Sequence, residues 1–254
     1  MKELFYYKLI IAYDGTNFLG WQEQAKGRTV QGTLKAVFQN LFSKNCSIVG
    51  ASRTDTGVHA ECQVARINAK LNITPEKLLF SWGNSMPADI AIKSIELLED
   101  PSDFHPQHNI IEKTYHYDFY VGQTDPFLNR TTLHWNWKVD ISKLEQALQL
   151  FVGTKDFRSF CSTEVTQATT RTINSIALKK IKDKNNNELY RIEIKGKSFL
   201  HNMIRRIVGA CLEVNRKQLD ISVLQTALDS KNPEQALLNA PAHGLTLHKI
   251  EYEK

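Results

Sequence analysis

The sequence predicts a mixed α+β protein built in two successive halves. Three observations lead there: aromatic and β-branched runs that alternate with polar residues, apolar stripes at helical spacing between them, and a second such succession after a polar stretch from Pro101 to Glu112. The 254 residues are enough for one large domain or two small ones with a sizeable core. Apolar and charged fractions of 42% and 23% are those of a globular chain and exclude disorder.

Leu4 to Tyr13 is rich in aromatic and β-branched residues and ends at Asp14-Gly15, so it predicts a strand entering a turn. Val30, Leu34, Val37, Phe38, Leu41 and Phe42 are spaced as one buried face of an amphipathic helix. Short strands are expected at Ser47–Ala51 and Gln63–Asn68, with a polar loop between them. Thr74-Pro75 reads as an N-cap with proline in the first turn, opening a helix to about Asn84. A strand at Ile90–Leu98 completes the first half.

In the second half, Tyr115, Tyr117, Phe119 and Val121 alternate as in a half-buried strand. Ser142-Lys143-Leu144-Glu145 has capping-box spacing, and Leu144, Leu148 and Phe151 follow at helical intervals to Gly153. Strands around Thr172–Ile181 and Leu189–Ile194 flank Lys184-Asn185-Asn186-Asn187, a hairpin-turn sequence. Phe199 to Val214 predicts a long helix with Leu200, Met203, Ile204, Ile207, Val208 and Cys211 as its stripe. Leu245, Leu247, Ile250 and Tyr252 alternate in a final strand. The halves are expected at 1–108 and 109–254.

Charge and cysteine content narrow the function classes. There are 32 Lys plus Arg against 27 Asp plus Glu, a mild excess that suits a polyanionic partner without requiring one. Cys46, Cys62, Cys161 and Cys211 form no C-x-x-C pair, so neither a zinc ribbon nor a redox dithiol is supported. The N-terminus has no charged segment followed by a long apolar run, and no stretch approaches a membrane span. A cytoplasmic protein with free thiols is the expectation.

The loop Arg53-Thr54-Asp55-Thr56-Gly57-Val58-His59 carries the chemistry of greatest interest. Asp followed by Gly after a strand is an ordinary way to build a turn. A carboxylate beside a guanidinium also stays ionised at neutral pH and can act as a nucleophile. A second acidic residue is missing from the loop, which argues against paired-carboxylate hydrolysis. Gly15 and Gly20 have P-loop spacing, but Trp21-Gln22 stands where Lys and Ser or Thr are required. His59-Ala60-Glu61 matches half of a zinc deaminase signature whose P-C-x-x-C half is absent. No metal site is expected. Lys113-Thr114-Tyr115-His116-Tyr117 reads first as a plain amphipathic strand, with a strand that stacks a base on a Tyr as the functional alternative. On the expected long helix, His201 and Arg205 fall at i and i+4, with Arg206 adjacent.

Taken together, these segments resemble the tRNA pseudouridine synthase A family, nearly end to end. The resemblance is carried by Tyr13 to Gln22 with Thr29-Val30-Gln31, Arg53 to His59, Met86-Pro87-Ala88-Asp89-Ile90, Asp103-Phe104-His105-Pro106, Lys113 to Tyr117, Asp156 to Phe160, Phe199 to Gly209, and Ala240-Pro241-Ala242-His243-Gly244-Leu245. It implies Asp55 as catalytic nucleophile and Tyr115 stacked near the target uracil, helping to remove the C5 proton. It further implies Arg205 paired with Asp55 across a cleft between the halves, and Arg53 beside the flipped nucleotide. The implied fold is two ferredoxin-like or RRM-like halves with mainly antiparallel sheets joined into one, assembled as a homodimer. The implied reaction is isomerisation of uridine to pseudouridine in the tRNA anticodon arm, at positions thirty-eight to forty, which consumes no cofactor. Ser52 stands where many members have Gly, Thr56 where Ala is frequent, and His116 in place of a frequent Arg. A non-catalytic RNA-binding module is the alternative; it leaves the Asp55 loop unused and lacks an RNP-type strand motif.

Overall fold

The computed structural model describes residues 4–100, 102, 104–162, 168–183, 187–232 and 238–253. Its backbone forms two compact units, one comprising Met1–Ile111 with Leu247–Lys254 and the other Glu112–Thr246. Both are α+β with mainly antiparallel strand pairing.

In the first unit, β1 (Phe5–Tyr13) buries Tyr7, Leu9, Ile11 and Tyr13 while the residues between them stay half-buried, the period of two expected of a strand with one face on a core. It pairs antiparallel with β3 (His59–Ala69) on one side and β4 (Ile90–Leu98) on the other. The short β2 (Cys46–Gly50) also pairs with β3. Between β1 and β2, α1 (Val30–Phe42) starts at Thr29, whose hydroxyl accepts the Gly32 N–H, and buries Val30, Leu34 and Phe38. The helix expected from Thr74-Pro75 is α2 (Pro75–Leu78), with Pro at its first position, continued by a π turn over Leu79–Gly83 to Asn84. The expected strand Gln63–Asn68 is longer than its periodicity suggested. It starts at His59, directly after the Asp55 loop.

The second unit is built on β5 (Ile110–Val121), which pairs antiparallel with β9 (Glu188–Gly196) and parallel with β6 (Leu133–Trp135). β8 (Thr170–Lys182) joins β9, and β7 (Gly153–Asp156) joins β8. The hairpin between β8 and β9 closes through the Asp183 N–H, donated to the Asn187 carbonyl at 3.0 Å. Lys184–Asn186 of the expected turn lie outside the described residues, as does Asp103. β10 (Leu245–Tyr252) runs beside β3, its residues from Leu247 onward belonging to the first unit.

Helix starts were the least legible feature. α3 (Ile141–Gln149) is capped by Asp140, whose carboxylate accepts the Lys143 N–H, and not by Ser142. The reason is tertiary: the Asn215 side chain accepts the Asp140 N–H at 3.1 Å and donates to its carbonyl at 2.7 Å, fixing Asp140 in the extended conformation a cap requires. The long helix α4 (Met203–Arg216) begins four residues later than expected, because Asn202 adopts φ 61° and ψ 2° and interrupts it. His201 therefore precedes the helix, and the expected i, i+4 relation to Arg205 does not exist. The expected stripe Met203, Ile204, Ile207, Val208 and Cys211 is buried. α5 (Ser222–Ser230), which buries Leu224, Ala227 and Leu228, was not anticipated, although that spacing is helical.

Candidate active site

Asp55 sits in the first unit, in the loop between β2 and β3. Its carbonyl accepts the Val58 N–H at 3.2 Å, and Gly57 takes φ 79°, a sign that the third residue of some tight turns requires. The turn reading of the sequence is therefore correct as geometry, and Asp55 is its first residue. Its side chain is half-buried, while Arg53 is exposed.

Ser52, Thr54, Gly57 and His59, which surround Asp55 in this loop, are each tied to the unit's core. Gln63, fully buried in β3, accepts the Ser52 N–H at 3.2 Å and donates to the Ser52 carbonyl at 2.6 Å, pairing with both backbone groups of one residue. The Thr54 hydroxyl meets the Tyr13 hydroxyl at 2.7 Å. The Thr54 carbonyl accepts the Trp21 N–H at 3.1 Å, and the Gly57 N–H donates to the Phe18 carbonyl at 3.3 Å. At the far end, His59 Nδ1 accepts the Gly15 N–H at 3.0 Å. The Tyr13–Gln22 segment thus serves as a cradle for the Asp55 loop. Within it, Gly20 has φ 90° and a Cβ there would lie 2.5 Å from the Thr54 carbonyl oxygen, so only glycine fits.

The cradle is itself braced. Asp89, from the Met86–Ile90 segment, accepts from Arg28 through both carboxylate oxygens, and its carbonyl accepts the Asp14 N–H at 3.0 Å. The Arg28 guanidinium holds the Asp89 carboxyl below the usual range, and Arg28 also lies 4.1 Å from the Phe18 ring centre.

Tyr115 and Arg205 belong to the second unit. Tyr115 lies on β5 opposite Ile194, is buried, and meets the Phe199 ring edge-on at 5.4 Å. Arg205 lies in the first turn of α4. Its Nε donates to the Ala240 carbonyl at 2.8 Å, its Nη1 donates to Asn202 Oδ1 at 2.9 Å, and its own carbonyl accepts the Ala240 N–H at 3.0 Å. The Leu238–Ala240 chain lies so close to α4 that a Cβ on Gly209 would overlap the Leu238 carbonyl oxygen. One residue further on, the Pro241 carbonyl accepts the Tyr117 hydroxyl at 2.9 Å. Burial raises the Tyr117 phenol above its usual range, with the Arg205 charge opposing the shift.

Asn202 and the Ala240 carbonyl were not singled out from sequence. Ala240-Pro241 stood within a recognised segment, but backbone carbonyls carry no residue-type signal. Among the described residues, no group of three or more His, Cys, Asp or Glu side chains could hold a metal ion, and no helix is long and apolar enough to cross a membrane.

Comparison with known proteins supplies a family for this arrangement. A family model described as tRNA pseudouridine synthase matches residues 9–105 and 147–253. The chain is 36% identical over 252 residues to the tRNA pseudouridine synthase A of Thermodesulfovibrio yellowstonii, covering 96% of this chain and 98% of that one. It is 38% identical over 256 residues to the tRNA pseudouridine synthase A of Leuconostoc citreum, covering 97% and 96%. The namesake of Ureaplasma urealyticum is 36% identical over 248 residues, covering 97% and 99%.

Proposed function

The chain belongs to the tRNA pseudouridine synthase family, and from that premise we propose that it isomerises uridine to pseudouridine in the anticodon stem-loop, at positions thirty-eight to forty, with Asp55 as nucleophile. It is an isomerase that acts on tRNA. The observation that carries the nucleophile assignment is the Asp55 loop: Ser52, Thr54, Gly57 and His59 are each bonded to the core around one half-buried carboxylate. A reactive group held on a rigid scaffold loses little freedom on reaching the attack geometry.

In this reading the uracil C1′–N1 bond breaks, the base turns, and a C1′–C5 bond forms; the C5 proton leaves and N1 gains one. Atoms and electrons balance with no co-reactant. Tyr115, backed edge-on by Phe199, offers its face to the base and offsets part of the few kcal/mol needed to unstack it. Arg205 is the cation that this reading assigns to the reaction alongside Asp55. The exposed Arg53 lies beside the flipped nucleotide in this reading and contacts the RNA. The same reading has the enzyme working in the cytoplasm as a homodimer on the anticodon arm.

The test is release of tritium from C5-labelled uridine in unmodified tRNA. Wild type is expected to release it, and Asp55→Asn to release none while still binding tRNA. Turnover by the variant would remove Asp55 from the role.

A further inference from the structure

Asn202 stands at the N-cap of α4, where an asparagine side chain ordinarily accepts a backbone N–H of the first turn. Here it makes no such bond. Its backbone instead takes the left-handed conformation, φ 61°, which Asn tolerates better than most residues. That geometry turns both ends of the amide toward other partners. Oδ1 accepts from Arg205 Nη1 at 2.9 Å, and Nδ2 donates to Ser162 Oγ at 3.1 Å. The Ser162 N–H in turn donates to the His201 carbonyl at 3.0 Å, so the residues flanking the amide are fixed from the far side as well.

A guanidinium is planar and presents five N–H donors in a rigid fork. Two fixed acceptors on different donor nitrogens define the plane and its rotation. At Arg205 these acceptors are the Ala240 carbonyl, on Nε, and Asn202 Oδ1, on Nη1.

We propose that Asn202 is a positioning residue for Arg205: with Ala240 it sets the direction of the remaining guanidinium donors, so that the cation acts on the transition state and not merely on RNA affinity. The proposal rests on the reading of Arg205 as the cation that serves Asp55. A capping role would show as lost stability. A phosphate contact would show as a raised KM. A positioning role shows as lost kcat with neither.

Two variants separate these. Asn202→Gly keeps the left-handed backbone, which glycine adopts freely, and removes only the amide. In single- and multiple-turnover assays on unmodified tRNA, kcat is expected to fall roughly tenfold, with KM within about twofold, as for an interaction made mainly in the transition state. Its melting temperature is expected to match wild type. Asn202→Asp keeps shape and acceptor but places a carboxylate against Arg205, neutralising the cation. Its kcat is expected to fall further than that of the glycine variant, without loss of melting temperature. Wild-type kcat in a stably folded variant, or a loss confined to KM, would overturn the proposal. Should the glycine variant melt early, the aspartate variant decides. Arg205→Ala is the control: if it retains full kcat, the reading of Arg205 fails. If Arg205→Ala is impaired while both Asn202 variants are wild type, only the positioning role fails.

Discussion

Gly20 lies against the Thr54 carbonyl oxygen, one residue before Asp55; a Cβ on Gly20 would come within 2.5 Å of it, and the neighbouring Trp21 N–H donates to the same oxygen at 3.1 Å. Backbone rests on backbone here, so the loop bearing the carboxylate cannot yield by rotating a side chain. Gly20→Ala adds the overlap to an unfavourable φ of 90°. It is expected to destabilise by about 1–3 kcal/mol and to lower kcat more than it raises KM, since Asp55 moves with the loop. Thermal melts and tRNA kinetics on the one variant check both; unchanged values would mean the loop is not held from this side.

Gly209 sets two magnitudes against each other. Alanine in a helix interior is favoured over glycine by about 1 kcal/mol. A Cβ at Gly209 would overlap the Leu238 carbonyl oxygen, and crowding a packed backbone costs about 1–3 kcal/mol. Crowding should win. Gly209→Ala is expected to melt below wild type and to lose activity, because the displaced Leu238–Ala240 segment bonds Arg205. A variant more stable than wild type would contradict the close approach.

The Tyr117 hydroxyl donates to the Pro241 carbonyl at 2.9 Å from a fully buried ring. Tyr117→Phe leaves that carbonyl without this donor, at a cost of about 1 kcal/mol. For a protein of this size that is roughly 2–4 °C in Tm. The activity loss should be smaller than for Gly209→Ala, since Arg205 keeps its bonds to Ala240 and Asn202. Calorimetry with the tritium-release assay measures the pair.

Lys113, two residues before Tyr115 on β5, is 8% exposed, and burial brings its ammonium down from 10.5 to about 8. Below pH 8 folded and unfolded chains both carry the proton, and the full desolvation penalty is present. Between pH 8 and 10.5 the unfolded chain keeps the proton while the folded chain gives it up, so the Lys113 contribution to stability rises with pH across that window. The span amounts to at most about 3 kcal/mol. Lys113→Met should therefore gain most over wild type at pH 7 and lose that advantage towards pH 10. Urea melts of both proteins at the two pH values check this, and parallel pH profiles would refute it.

The sequence alone was enough for the α+β class, most of the strands and the membership of the Asp55 loop in a known pattern. Alternation in β1 and the stripe of α4 are one-dimensional signals, because burying one face of a strand or helix imposes a period on the chain itself. The same holds for Thr74-Pro75, where a restricted φ announces a helix start. Tertiary contacts decided the rest. Asp140 displaced Ser142 as a cap because Asn215, far along the chain, holds its backbone. Asn202 delayed the start of the expected helix and turned its amide to Arg205 and Ser162. The cradle around Asp55 and the grip on Arg205 consist largely of backbone carbonyls and N–H groups, from Trp21, Gly15, Phe18 and Ala240. Every residue but proline has both groups, so no residue letter marks which of them a fold will bring to a given side chain.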